Sequence, residues 1–330
     1  MSEKSIYVVG AGAWGSALAH TLGLGGRSVV LCGRDDVAIR TINEERRNPH
    51  YLKTVEMDAR VTAQLGYDGI EAAQAVLLVV PAQASRAVLA EIGADRLAGQ
   101  SIILCAKGLE KDTLKRQSEI LAEACPTAHA FVLSGPSFAV DVAQGKPTAV
   151  TLAGKSLAAA HEIVDLLAGP TFRPYSSDDI VGVELAGALK NIYALACGAV
   201  DGADLGLSAR SSIMARAFAE MGPLVEAMGG TKESLNGLAG LGDLTLSCTA
   251  RESRNFDFGY RLGAGESVDE IVASGAKLAE GVHSSPVGLA LAEKYGVEAP
   301  IIKAVNALLR GEAPIDSLVA QLMRRPLRSE

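Results

Sequence analysis

Val8-Val9-Gly10-Ala11-Gly12-Ala13-Trp14-Gly15 is a short apolar strand running into a glycine-rich turn, and Ser16-Ala17-Leu18-Ala19-His20-Thr21-Leu22 carries on as a helix. Strand, G-x-G-x-x-G and helix in that order are the sequence form of a dinucleotide-binding βα unit. Gly10 permits the tight turn, Gly12 lets backbone N–H groups approach a pyrophosphate, and Gly15 lets helix and strand pack closely. The helix N-terminus adds N–H donors and the positive end of a dipole, both suited to an anion. Isolated, the glycine pattern is a weak signal; its flanking strand and helix are what give it weight.

Further strand-like apolar runs occur at 28–32, 75–80, 101–105, 130–133 and 148–152, with helical patterns at 85–92, 114–121 and 156–168 between or after them. Near-continuous apolar strands alternating with helices predict a doubly wound, Rossmann-type α/β domain built on a parallel sheet. Beyond about residue 177 the pattern changes to long Ala/Leu/Gly helical segments, with Ser176 and Ser177 as candidate caps and Asp178 and Asp179 putting negative charge at a helix N-terminus. The expectation is a dinucleotide-binding domain over 1–178 and a mostly α-helical substrate and catalytic domain over 179–330. Only 324–330 reads as a solvated tail.

A chain of 330 residues with 48% hydrophobic side chains can fill the cores of two such domains. Its net charge of −7 provides no basic field for nucleic acid or an anionic membrane, so an anionic substrate must be held by local cations. Five cysteines, at 32, 105, 125, 197 and 248, are odd in number and too far apart for a C-x-x-C motif; they read as small core residues in a reducing cytoplasm. The histidines at 20, 50, 129, 161 and 283 show no metal-ligand spacing, so no metal is expected. Lys4 precedes an apolar stretch, but its repeated glycines oppose a signal-peptide helix, and no run approaches the roughly 18 apolar residues of a membrane span.

Several positions can carry chemistry. Arg34 follows the second strand, where a cation pairs a 2′-phosphate, while Asp35 and Asp36 keep a ribose 2′-hydroxyl partner open; NADP(H) is favoured and NAD(H) stays open. Lys107 stands just beyond a strand, at the edge where open α/β sheets bind ligands, although a surface lysine is the bland alternative. Ser134-Gly135-Pro136-Ser137-Phe138-Ala139 follows another strand and reads as a ligand loop or a plain βα turn. Lys190 lies inside an apolar helix, among Val183, Ala186, Gly187, Tyr193, Ala194 and Cys197; such a lysine snorkels, pairs, or works as an acid/base. Ser253, Arg254 and Asn255 offer a hydroxyl, a guanidinium and an amide, a set for a phosphate monoester or a helix-capping turn.

Taken together, GAGAWGSALA at 10–19, KGL at 107–109, SGPSFAVDVAQGKPTAV at 134–150, ELAGALKNIYALACG at 184–198, GLAGLGDLTLSCTARESRN at 237–255 and AEGVHS at 279–284 resemble the bacterial NAD(P)-dependent sn-glycerol-3-phosphate dehydrogenase family. The resemblance covers nearly the whole chain, with Asp141 where Glu is usual and Leu278 where Val is usual. It implies reversible hydride transfer between NAD(P)H and dihydroxyacetone phosphate, feeding phospholipid synthesis, with a homodimer as the family expectation; a cytoplasmic location is the default expectation where neither a signal peptide nor a membrane span is read. Besides Gly10, Gly12 and Gly15, it implies cofactor contacts at Trp14, Arg34, Lys107, Ala139, Arg254, Leu278 and Glu280. Substrate contacts would be Lys107, Gly135, Ser137, Lys190, Asp243, Ser253, Arg254 and Asn255, with Lys190 as proton donor and acceptor and Asp243 as its orienting charge. Two alternatives stand beside this reading: a two-domain dehydrogenase of the β-hydroxyacid type, and a catalytically silent dinucleotide sensor.

Overall fold

The glycine-rich turn sits where its flanks require it, between strand β1 (Ile6–Val9) and helix α1 (Ala13–Leu24), in a computed structural model that describes residues 5–276 and 279–325. The chain divides into two compact units, one of residues 1–107 and 115–184, the other of 108–114 and 185–330.

In the first unit β1 is joined by β2 (Val29–Gly33), β3 (Val61–Leu65), β4 (Ala75–Leu78), β5 (Ser101–Leu104), β6 (His129–Ser134), β7 (Thr148–Ala153) and β8 (Phe172–Ser177). They form one sheet in the order β3-β2-β1-β4-β5-β6-β7-β8. Helices α2 (Asp36–Glu45), α3 (Ser85–Ile92), α4 (Gln117–Ala124), α5 (Ala139–Ala143) and α6 (Leu157–Leu167) lie between strands, as the alternation predicts. Ile6, Val8, Leu31, Ala75, Leu77 and Ile103 are wholly buried, which is why these strands read as unbroken apolar runs. Strand order reverses between β1 and β4, which pair in parallel, so the crevice of a doubly wound sheet opens beyond their carboxyl ends.

Four expectations are corrected. The sheet is mixed: β6 and β7 pair antiparallel, because the 135–147 connection returns the chain beside β6 without a full crossover, and β8 then pairs parallel to β7. Neither β3 nor β8 is legible as an apolar run, since β3 alternates buried and exposed residues and β8 carries Arg173 and Pro174. The helix expected over 114–121 starts later, at Gln117: Leu114 takes a left-handed φ of 60°, and Arg116 is the N-cap residue, with Glu119 bonding back to its N–H at 2.9 Å. Ser176 and Ser177 end β8 and do not cap the next helix; Asp179 does, accepting the Gly182 N–H at 2.8 Å.

That next helix, α7 (Ile180–Gly202), is long and apolar enough by length and mean composition to cross a membrane, although Glu184, Lys190 and Asn191 interrupt its apolar residues. It is instead core, 89% of its apolar stretch being buried. Glu184, just past its first turn, is buried and accepts from Arg116 Nη1 at 2.9 Å and the Ser118 N–H at 2.8 Å. Burial pushes the Glu184 carboxyl up, with Arg116 and Ser118 opposing the shift.

The second unit is helical: the rest of α7, then α8 (Leu207–Ala227), α9 (Asp243–Thr249), α10 (Arg254–Gly263), α11 (Val268–Ala273), α12 (Glu280–Lys294), α13 (Pro300–Leu309) and α14 (Ile315–Met323). Helices α7 and α10 meet backbone to backbone through glycines on both. A Cβ on Gly198 would lie 2.0 Å from Phe256 O and one on Gly202 1.9 Å from Tyr260 O; one on Gly259 would lie 2.1 Å from Leu195 O and one on Gly263 2.0 Å from Ala199 O. This interlock sets the N-terminus of α10 against the α7 turn that carries Lys190 and Asn191.

Candidate active site

In the first unit the glycine-rich turn is shaped for an anion. Gly10 has φ 119°, and a Cβ there would stand 2.3 Å from Val79 O; a Cβ on Gly15 would stand 1.9 Å from Gly10 O. Gly12 differs, since a Cβ there would meet nothing within 4 Å. Gly10 and Gly15 are thus demanded by the turn itself, whereas Gly12 faces open space of the kind a pyrophosphate needs. No side chain caps α1, which leaves that helix end suited to a ligand oxyanion. Trp14 is partly buried and packs against the core at the start of α1. Arg34, one residue past β2, is exposed.

Lys107 and the 134–137 loop come together at the carboxyl ends of neighbouring parallel strands β5 and β6. Lys107 Nζ donates to Gly135 O at 2.8 Å, and Ser137 Oγ donates to the same oxygen at 3.0 Å. Gly135, at φ 148°, passes so near β7 that a Cβ would lie 2.8 Å from Val150 Cα. Ala139, the first residue of α5, packs against the core.

In the second unit Lys190 is 8% exposed, and its ammonium donates to Asp243 Oδ1 at 2.6 Å and to Ser247 Oγ at 2.7 Å. Asp243 and Ser247 are one turn apart on α9, so both acceptors face α7 from one helix side. Burying an ammonium without such partners would be strongly unfavourable. A single π-helical turn, Leu238–Gly242, leads into α9; a Cβ on Gly240 would lie 2.1 Å from Leu235 O, so that turn admits only glycine. Cys248, next to Ser247, is buried and its thiol is pushed well up, first by a hydrogen bond with Cys197 and then by desolvation, which makes it an inert core thiol.

Asn255 Nδ2 donates to Asn191 Oδ1 at 2.8 Å, and the Gly281 N–H donates to Asn255 Oδ1 at 2.8 Å. Ser253 caps α10 by accepting the Phe256 N–H at 3.4 Å, and Arg254 is exposed at that helix's first position. Glu280 opens α12 with one buried carboxyl oxygen that has no hydrogen-bond partner among the described residues; burial pushes its carboxyl up, and the Arg254 charge opposes this. Leu278 lies outside the described residues.

Lys107, Gly135 and Ser137 therefore meet in one unit, and Lys190 and Asp243 meet in the other, beside the Asn255 network. Sequence reasoning missed Ser247, which a search four residues beyond Asp243 would have found, and Asn191. It also missed Asn48, whose buried amide braces the glycine-rich turn and which carries no local signal.

Residues 5–160 match the family described as NAD-dependent glycerol-3-phosphate dehydrogenase N-terminus, and residues 179–320 match the corresponding C-terminus. The chain is 44% identical over 330 residues to a glycerol-3-phosphate dehydrogenase (NAD(P)+) of Parvibaculum lavamentivorans, covering 100% of this chain and 99% of that one. It is 42% identical to the enzyme of that name from Caulobacter vibrioides, with both chains covered completely, at 100%. The crystal structure of glycerol-3-phosphate dehydrogenase from Coxiella burnetii is similar at a TM-score of 0.91 and 35% identity, covering 98% of this chain and 99% of the other. Matches of this extent to both halves mean that the chain belongs to the NAD-dependent glycerol-3-phosphate dehydrogenase family.

Proposed function

We propose that the protein interconverts dihydroxyacetone phosphate and sn-glycerol 3-phosphate with NAD(P)H, the product serving glycerophospholipid synthesis. The observation that carries this reading is the buried Lys190 ammonium, 2.6 Å from Asp243 and 2.7 Å from Ser247, in a chain of this family. In this reading residues 1–178 hold the dinucleotide and 179–330 supply the substrate and catalytic groups.

NADPH, when bound, supplies hydride to the ketone carbon. As negative charge grows on the carbonyl oxygen, Lys190 Nζ stabilises that oxygen and gives it a proton; in the reverse direction it takes the hydroxyl proton. Asp243 and Ser247 hold Nζ in place, and the Asp243 charge offsets desolvation of the ammonium. Arg254 and Asn255 grip the remote phosphate and so position the ketone. Ser253 joins them, because a hydroxyl that accepts a helix N–H still has its own hydrogen to donate. Lys107, Gly135 and Ser137 complete the substrate contacts. Gly10, Gly12, Trp14, Gly15, Arg34, Lys107, Ala139, Arg254 and Glu280 hold the cofactor.

Arg34 favours NADPH, since a guanidinium pairs a 2′-phosphate through two N–H donors. The test follows NADPH absorbance after addition of dihydroxyacetone phosphate, with a 3-keto acid as control, and compares kcat/KM for NADPH and NADH in wild type and Arg34→Ala. Oxidation with the phosphate alone supports the reading, as does a loss confined to NADPH in the variant. Turnover of the keto acid instead would point to a carboxylate-acting relative, and cofactor binding without turnover to a sensor.

A further inference from the structure

The loop joining α2 to β3 is built onto the cofactor cradle. Asn48, 1% exposed, donates to Ala11 O at 3.0 Å in the glycine-rich turn and to Ser16 Oγ at 2.9 Å on α1. Its amide oxygen accepts the backbone N–H groups of His50 at 3.0 Å and Tyr51 at 3.1 Å. One buried amide thus fixes where His50 leaves the turn. From there His50 Nε2 reaches Asp35 Oδ2 at 2.9 Å.

Asp35 stands about 20 residues beyond Gly15, two past the end of β2, where a Rossmann unit uses an acidic residue to take the ribose 2′-hydroxyl. Neither of its oxygens is idle. Oδ1 accepts the Ala38 N–H at 3.1 Å as the cap of α2, and Oδ2 is held by His50. These bonds pull the Asp35 carboxyl below its ordinary value, the Ala38 N–H contributing most.

We propose that His50 is a specificity-determining residue for the dinucleotide: by hydrogen bonding to Asp35 Oδ2 it competes with a ribose 2′-hydroxyl for that oxygen and turns the carboxylate away from a 2′-phosphate. The proposal rests on the reading of Arg34 as the 2′-phosphate partner. Selection here works by denying one cofactor its usual partner as much as by attracting the other. His50 and Asp35 are about half exposed, at 52% and 50%, so their pair contributes little to folding and its effect falls on cofactor choice.

The experiment is a double-mutant cycle with His50→Ala and Asp35→Asn, measuring kcat/KM for NADPH and for NADH; asparagine still caps a helix, so α2 is kept. His50→Ala should lower the NADPH-to-NADH ratio roughly two- to fivefold, the scale of one exposed charge interaction, chiefly by lowering KM for NADH. In the Asp35→Asn background the same substitution should leave the ratio unchanged. An unaltered ratio in His50→Ala, an equal loss with both cofactors, or the same effect without the carboxylate would each overturn the proposal. If wild type favours NADH, the Arg34 reading fails along with it. If wild type favours NADPH and only His50→Ala is silent, the Arg34 reading survives alone.

Discussion

The Lys190 ammonium and the Asp243 carboxylate lie 2.6 Å apart, with side-chain exposures of 9% and 1%, on helices 53 residues apart in the chain. Such a pair is asymmetric: removing one member strands a charge, whereas removing both does not. Asp243→Asn should therefore destabilise the protein by about 3–5 kcal/mol, and Lys190→Met combined with it should recover most of that loss while remaining inactive. Urea unfolding of the two variants checks this; equal stability of the single and double variants would refute the coupling.

Lys190→Ala should lower kcat by roughly 10²–10⁴-fold, the range for loss of a general acid, with cofactor binding kept. Ser247→Ala should do less, roughly tenfold, the scale of one buried hydrogen bond to a charge. Steady-state kinetics with cofactor titration separates these effects. Near-normal turnover in Lys190→Ala would reject its role.

Gly198→Ala should act against helix propensity. In an exposed helix the change stabilises by about 1 kcal/mol. Here the new Cβ would stand 2.0 Å from Phe256 O, so α7 and α10 must separate. A loss of about 3 kcal/mol is expected, together with a higher KM for the phosphate substrate as Asn255 draws away from Asn191. A neutral or stabilising result would mean that the interlock yields easily.

Glu220 on α8 is 9% exposed and accepts the N–H groups of Ile301 at 2.9 Å and Ile302 at 3.1 Å, at the start of α13, and the Tyr193 hydroxyl at 3.4 Å. Burial pushes its carboxyl from 4.5 to about 7 against these bonds. Between those values the unfolded chain has lost a proton that the folded chain keeps, so stability falls as pH rises through the window and is level above it. The total is about 3 kcal/mol. Glu220→Gln cannot titrate, so wild type should lose stability relative to it between pH 4.5 and 7. Denaturation midpoints of both proteins across that range measure this, and a constant difference would contradict it.

Which elements were legible follows from what made them. Strands buried on both faces, such as β1 and β4, are written as apolar runs and are legible in the sequence. Edge strand β3 shows only a five-residue alternation, and β8 contains a proline, so neither carries a run to read. The start of α4 is not legible, because the left-handed Leu114 reflects its surroundings and leaves no trace in local periodicity. Lys190 stood out because a charge inside an apolar helix violates a local pattern. Asn48 violates none, since Asn-Pro is ordinary loop sequence.

The sequence by itself determined the glycine-rich turn, the order of strands and helices through most of the first unit, and the placing of a lysine in a buried helix. Sterics and periodicity act on neighbours in the chain, and neighbours can be read in order. Only the tertiary structure decided that Asp243 and Ser247 are the acceptors for Lys190, that Asn255 bridges Asn191 and Gly281, and that both oxygens of Asp35 are engaged. Those partnerships join residues far apart in sequence, and they depend on how closely whole elements approach. For α7 and α10 that approach is set by four glycines whose missing Cβ atoms matter only once the helices meet.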